Sequence, residues 1–480
     1  MKNKIFDVYN SIVHIRKISV RDQILRFFLQ SGDFNGISSN KLCERFSIPF
    51  VEELENLENA ESEVLIRYVS GRKYDIESLS FKKLFDTLKD LVANEIVTIV
   101  FDDNPHIKRY PDQPKEKQFH NLDKNFLNLC FYPSSKYLEE LNPKGFEELP
   151  FKRKMLLGCP QVYPVYFELK ILSEYENDPR FRFDFSDYSG HASIKEEYDS
   201  STITLDRDRT FIECFGIGYK ENDYRRVAIL WVTDLARFTS EHQKRWDTYR
   251  IDEDCFMDPD FYKNQVVGDW ADKVGIYTAF LEEIKTINKI CEKADWPNLF
   301  KHEYEEHPSG FHIPFDSTSQ VFYNFCRLLD KLITENINTK FFDLHLVENE
   351  KHEKRINSQT GHEEVVRLGT IVMLERFIKK RFKPINGFDD VDEMIKVFKK
   401  IRRLRSDESH SLLDNRFHHD YEKMHDKLML EAYGGLRLLR LIISNEPSVK
   451  QILSDLVPDW LFEGKIRSYF FYTLNGIEAK

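Results

Sequence analysis

The sequence is short of everything that marks a secreted, metal-knotted or membrane-spanning chain. It has no C-x-x-C pair, and its seven cysteines (Cys43, Cys130, Cys159, Cys214, Cys255, Cys291, Cys326) are scattered and odd in number. That usage argues against a structural zinc knot and for reduced thiols in a cytosolic compartment. Met1 to Val20 holds no continuous apolar core of signal-peptide length. Apolar runs are short, such as Val227 to Val232, and none approaches the ~20 residues of a membrane span. The expectation is a cytoplasmic protein that makes no use of a membrane. Glycine (18) and proline (17) are scarce in 480 residues, which leaves little room for long flexible linkers. Positive charge is also in deficit: 70 Lys and Arg face 81 Asp and Glu, for a net charge of -11. An acidic chain is not a general polyanion binder, so any nucleic-acid contact must come from a local basic patch. No G-x-x-x-x-G-K-[ST] occurs, which excludes a P-loop ATPase.

What is present is core-forming material. Hydrophobic residues make up 41% and aromatics 14%, with 39 Phe and 22 Tyr. That is far too much for a disordered chain, and the length fits about three domains. The pattern predicts an α+β multidomain protein. Residues 1–115 read as a winged-helix-like unit, 116–265 as a central α+β domain on an antiparallel sheet, 266–313 as a helical connector and 314–480 as an all-α bundle.

In the first unit a helix is expected over Arg21 to Gln30. Ser38 or Ser39 caps a second helix to Arg45, and Pro49 opens a third helix through Asn59. Val64 to Tyr68 reads as a strand, followed by a helix over Leu79 to Ala93 and a strand over Ile96 to Phe101. The third helix would be the recognition helix of a DNA-binding unit. It carries Glu52, Glu53, Glu55 and Glu58 and no Lys or Arg, the wrong charge for phosphate. A protein-partner or packing role suits this region better. Pro105, Pro111 and Pro114 space a connector.

In the central domain, strands are expected at Phe181 to Phe185, Thr202 to Leu205, Phe211 to Phe215 and Val227 to Val232. A turn at Lys220 to Asp223 precedes the last of these, and Ser240 to Tyr249 returns to helix. Helices are then expected at 269–293, 317–337, 364–382, 389–406 and 417–444, with a short one near 448–462. The charged stretch Glu348 to His362 reads as an exposed loop.

Several constellations fail as sites. Gly216-Ile217-Gly218 lies inside a strand with no helix-opening glycine, so it serves packing rather than a nucleotide. His302, His307 and His312 lack the H-E-x-x-H spacing and read as a polar turn. Glu168-Leu169-Lys170 is similar to the E-x-K element of metal-dependent nucleases, but no partner aspartate can be placed. Neither a metal nor a cofactor is expected.

The helix from Asp389 is more informative. Val391, Met394, Ile395, Phe398 and Ile401 share one face, and Lys396, Lys399, Lys400 and Arg403 share the other. At ~100° per residue Arg405 returns to within about 40° of Val391. An arginine on an apolar face must pair or line a cleft. His410 follows five residues later. In an unbroken helix the two would diverge by about 140°, so a break within Ser406-Asp407-Glu408-Ser409 is needed to bring them together. Such a pair suits phosphodiester chemistry: histidine moves a proton near neutral pH and arginine stabilises transition-state phosphate charge. Between Glu375 and Arg405 eleven Lys and Arg face five Asp and Glu, the reverse of the whole chain.

The stretch Ile401-Arg402-Arg403-Leu404-Arg405-Ser406-Asp407-Glu408-Ser409-His410, between two long helices, resembles the R-x4-6-H signature of the HEPN superfamily (higher eukaryotes and prokaryotes nucleotide-binding domain). The resemblance covers about Pro314 to Ser444 and includes Leu328-Leu329-Asp330-Lys331-Leu332 and Asn336-Ile337-Asn338. Ser406 stands where the family more often has Asn, Asp or His. The rest of the chain looks like the N-terminal extensions of bacterial HEPN proteins, some tied to phage defence.

The resemblance implies a metal-independent endoribonuclease in which the RNA 2′-hydroxyl attacks its own phosphodiester, and a defence or toxin-like effector role. Arg405 and His410 would be catalytic, with Ser406, Asp407 and Arg403 in support and Arg402 and Lys399 contacting RNA. Arg403 also fits the spacing, but it lies on the polar face. One motif per chain implies a homodimer through the bundle, with RNA as substrate and the N-terminal region open to a protein partner. Two alternatives stand beside this: a non-catalytic HEPN dimerisation or ligand-sensing adaptor, and a winged-helix DNA-binding regulator.

Overall fold

The computed structural model describes residues 19–53, 72–101, 113–200, 202–356, 362–383, 387–409 and 415–467. It is a mixed α/β structure with antiparallel sheets and a helical C-terminal region. Internal contacts divide it into two units: residues 1–167, 192–215 and 229–252 form one, and residues 168–191, 216–228 and 253–480 form the other.

The first unit begins with helix α1 (Val20–Gln30), capped by the Ser19 hydroxyl on the Asp22 amide. Strand β1 (Ile37–Ser38) leads into helix α2 (Ser39–Arg45), whose cap is Ser38. The start of the helix expected over Pro49 to Asn59 is instead strand β2 (Phe50–Glu53), paired antiparallel with β3 (Arg72–Tyr74), and its remainder lies outside the described residues. The partner strand decides it: Phe50-Val51 suits an extended ladder, and a proline before them does not outweigh cross-strand hydrogen bonds. The expected strand Val64 to Tyr68 lies outside the described residues, as do Pro105 and Pro111.

Helix α3 (Leu79–Ala93) and strand β4 (Val97–Phe101) follow as expected. Helix α4 (Lys115–Asn125) and strand β5 (Leu129–Pro133) complete a three-stranded sheet in the order β1, β5, β4. Its core unites Ile24, Leu42, Leu88, Ile99, Leu122 and Phe131, all buried. The buried Gln118 of α4 accepts the Ile99 amide at 3.0 Å and so satisfies a backbone donor inside the core.

A six-stranded sheet follows. It contains β6 (Pro164–Glu168), β7 (Phe181–Ser186), β8 (Ser189–Ile194), β9 (Ile212–Lys220), β10 (Arg226–Trp231) and β11 (Cys255–Met257). The order is β6-β10-β9-β8-β7, with β11 antiparallel to β9. The turn expected at Lys220 to Asp223 joins β9 to β10, whose every residue is buried. A strand does not form at Thr202 to Leu205. There Thr204 points inward while Ile203 and Leu205 are exposed, the reverse of a strand whose apolar side faces a core. Gly216 serves packing: an added Cβ would lie 2.4 Å from the Phe261 ring.

The second unit carries the long helices. Strand β12 (Val274–Gly275) pairs in parallel with the later β15 (Ile466–Arg467). Helix α5 (Ile276–Lys293) follows it, so 269–275 is not helical as expected. Helix α6 (Ser319–Leu332) is capped by Thr318, and α7 (Thr339–His345) comes next. The expected loop over Glu348 to His362 and the first turn of the following helix are largely a hairpin. Its strands are β13 (His352–Ile356) and β14 (Glu363–Arg367), in register from His352 opposite Arg367 to Ile356 opposite Glu363. Opposite charges such as Lys354 and Glu363 (3.1 Å) and the β-branched pair Val365-Val366 favour it. Helix α8 (Thr370–Arg381) therefore starts only after Gly369. Helices α9 (Asp389–Ser409) and α10 (Asp420–Ile443) complete the set. Helix α9 packs against α6, α8 and α10, and α5 packs against α10. Among the described residues no helix is long and apolar enough to cross a membrane.

Candidate functional site

Helix α9 opens with Asp389, Asp390 and Asp392, which complement the positive end of its dipole. Val391, Met394, Ile395, Phe398 and Ile401 are all buried, as the wheel requires. The close approach to α10 depends on Gly435, where a Cβ would lie 2.9 Å from the Phe398 ring. The opposite face, including Lys396, Lys399, Arg402 and Arg403, is exposed.

Of the two options open to an arginine on that face, pairing or lining a cleft, Arg405 pairs. Its Nη1 donates to Asp330 Oδ2 at 2.6 Å and also to Glu335 Oε1. Asp330 is fully buried at the end of α6, and it accepts the Thr334 hydroxyl on its other oxygen. Glu335 stands in the turn after α6 with its side chain 40% exposed, and Arg405 is 36% exposed. The hydrogen bond to Asp330, then that to Glu335, raise the Arg405 pKa and keep it charged. The two carboxylates are unequal partners. An exposed ion pair is worth about 0–1 kcal/mol, whereas a charged hydrogen bond from a desolvated acid contributes about 1.5–3 kcal/mol.

The helix does not break where the sequence reading needs it to. Helix α9 runs unbroken through Ser409. Ser406 and Asp407 are helical, and Ser406 Oγ donates to the Arg402 carbonyl at 3.1 Å. A serine satisfied within its own helix leaves no orphan cap to force a turn. His410 lies outside the described residues. The chain beyond it is anchored at the start of α6, where Ser319 N donates to Arg416 O at 2.8 Å and His418 N to Ser317 O at 3.0 Å.

The basic stretch is largely neutralised within the fold. Lys399 pairs with Glu375 at 3.1 Å, Lys396 with Glu393 at 2.6 Å and Lys400 with Glu431 at 2.5 Å. Of the two residues expected to meet RNA, Lys399 is thus paired, while Arg402 forms no ion pair among the described residues, and neither does Arg403. A cavity of about 500 Å³ opens beside α8. Two of its cations, Arg376 and Lys380, are already held by Glu350, through its carbonyl and its carboxylate.

A second arginine cluster escaped the sequence reading. Arg226 opens β10 with its side chain fully buried, 3.0 Å from Glu422 and 2.6 Å from Asp426 of α10. Burial raises the Glu422 carboxyl pKa, while Arg226 opposes that shift. Nearby charges continue the network. Arg467 pairs with Asp258 and, at 2.8 Å, with Asp260, and Tyr219 donates to Asp258 at 3.0 Å. Burial also pushes the Asp187 carboxyl up to about 6, against the lowering effect of the Gly275 amide that it accepts at 2.8 Å. The available signal was Glu422 and Asp426, an i,i+4 acidic pair on a face that also bears Met429 and Leu436.

The three histidines sit in an irregular segment, as expected. His307 meets the Thr278 hydroxyl at 3.0 Å and His312 meets Glu176 at 2.6 Å. Among the described residues no group of three or more His, Cys, Asp or Glu is placed to hold a metal ion. No protein-family model, no curated protein and no solved structure matches the chain.

Proposed function

We propose that the helical C-terminal region is a HEPN-type, metal-independent endoribonuclease. The observation that carries the reading is Arg405, a charged and half-exposed side chain at the end of α9, oriented by a buried acid and five residues ahead of His410. The packing of α9 against α6 and α10 within residues 314–480 supports the bundle part of that reading. The RNA 2′-oxygen attacks the adjacent phosphorus as its proton passes to a histidine. The bond from phosphorus to the 5′-oxygen breaks, and that oxygen takes up a proton. The products are a 2′,3′-cyclic phosphate and a 5′-hydroxyl. Arg405 holds a non-bridging phosphate oxygen, and His410 serves as base or acid. Two copies of the chain, paired through the bundle, supply both proton-transfer groups to one cleft. The N-terminal region recruits a protein partner. With four glutamates and no Lys or Arg between Pro49 and Asn59, DNA reading has little support.

The test is cleavage of RNA in EDTA by wild type, Arg405→Ala and His410→Ala. The reading expects cleavage by wild type and a loss of at least about a hundredfold in each variant. Undiminished cleavage by both variants would remove the site assignment. A second reading, a non-catalytic dimerisation or ligand-sensing adaptor, is favoured by one observation: Arg405 is already matched by two carboxylates. It expects no cleavage of any RNA together with an intact dimer in sedimentation.

A further inference from the structure

We propose that the Glu335 carboxylate occupies the place an RNA phosphate takes on Arg405, so that the anion site of this bundle is filled by its own side chain until substrate displaces it. The inference rests on the ribonuclease reading above and concerns the same arginine.

Three features of the site carry it. First, one guanidinium nitrogen of Arg405 meets two carboxylates, Asp330 Oδ2 at 2.6 Å and Glu335 Oε1. Orientation alone needs only one, and two acids on one cation repel each other. Second, the two acids differ in their freedom to leave. Asp330 is fully buried and tied to the Thr334 hydroxyl. Glu335 is 40% exposed on a turn. Backbone bonds pin that turn on both sides, from Glu335 N to Asp330 O at 3.0 Å, from Lys301 N to Asn336 O at 2.8 Å and from Asn338 N to Leu299 O at 2.8 Å. The side chain of Glu335 can therefore swing out while its backbone stays. Third, a phosphodiester carries one negative charge, as the carboxylate does. The exchange leaves the charge around Arg405 unchanged and replaces one charge-assisted bond with another.

A second cation already waits there. Lys301 is exposed, and its Nζ donates to the Glu335 carbonyl at 2.6 Å, a neutral partner that a neighbouring phosphate would outcompete. Asp330 then acts as a positioning residue that keeps Arg405 aimed at the incoming anion.

The experiment measures binding of a fully 2′-O-methylated oligoribonucleotide, which cannot be cleaved by 2′-attack, to the full-length chain. Fluorescence anisotropy is read for wild type, Glu335→Gln, Arg405→Ala and the double variant, and cleavage of unmodified RNA is followed in parallel. Glu335→Gln is expected to bind roughly three- to fivefold more tightly, the size of an exposed ion pair removed from competition, and to cleave faster. The gain should vanish in the Arg405→Ala background, because the two residues act through one contact. If Arg405→Ala weakens binding and cleavage while Glu335→Gln leaves both unchanged or lower, Glu335 is a strut and this inference alone falls. A gain that persists without Arg405 would show a general charge effect and would also overturn it. If Arg405→Ala binds and cleaves as wild type does, the ribonuclease reading falls and the inference falls with it.

Discussion

Two arginines of the second unit each hold two carboxylates, and they differ in access to water. Arg226 reaches Glu422 and Asp426 from a fully buried position, while Arg405 reaches Asp330 and Glu335 from a half-exposed one. In the first cluster no member can leave without stranding a charge in low dielectric. In the second, one acid is locked and the other can be solvated. The same inventory of charges therefore serves as a strut in one place and as an openable contact in the other. Burial, not residue type, makes the difference.

The largest test of that contrast is Arg226→Met, which strips the buried Asp426 and the largely buried Glu422 of the cation they share. It should cost about 3–5 kcal/mol in urea denaturation. Replacing all three residues with apolar side chains of similar size should recover most of the loss. A loss below about 1 kcal/mol in the single variant would mean that water reaches the pair.

Next in size is a pH effect in the network around Asp258. The folded pKa of Asp187 is raised to about 6 by burial. A raised pKa contributes stability below the unfolded value near 4 and loses that contribution as pH rises through 6. Asp187→Asn should therefore gain on wild type between pH 4 and pH 7, by up to about 3 kcal/mol. The asparagine oxygen can still accept the Gly275 amide. Stability curves that run parallel across this range would contradict the burial argument.

Smaller effects separate the partners of Arg405. Asp330→Asn weakens a charged hydrogen bond to a buried acceptor and should cost about 1.5–3 kcal/mol. Glu335→Gln should change stability by less than about 1 kcal/mol. Equal costs in thermal or urea unfolding would erase the distinction between locked and displaceable acids.

Much of the fold was legible because it is written locally. The 3.6-residue period of α9 placed Val391, Met394, Ile395, Phe398 and Ile401 in the core and demanded a partner or a cleft for Arg405. Ser38 announced α2, and the apolar run after Asp223 announced a central strand. Other readings failed where a distant partner outweighed local preference. Strand β3 claims Phe50–Glu53, and the β13–β14 hairpin claims a stretch whose polarity suggests a loop. The back-bond from Ser406 to the Arg402 carbonyl carries α9 past a sequence that reads as a cap.

By itself the sequence determined the amphipathic helices, the buried strand and the requirement that Arg405 pair or line a cleft, because each follows from spacing along one element. Only the tertiary structure decided which acids pair with it, that Asp330 is sealed while Glu335 meets water, and that Arg226 lies across from Glu422 and Asp426. Those facts join residues 70 to 200 positions apart. No periodicity reports how much solvent remains between groups that meet only when the chain has packed.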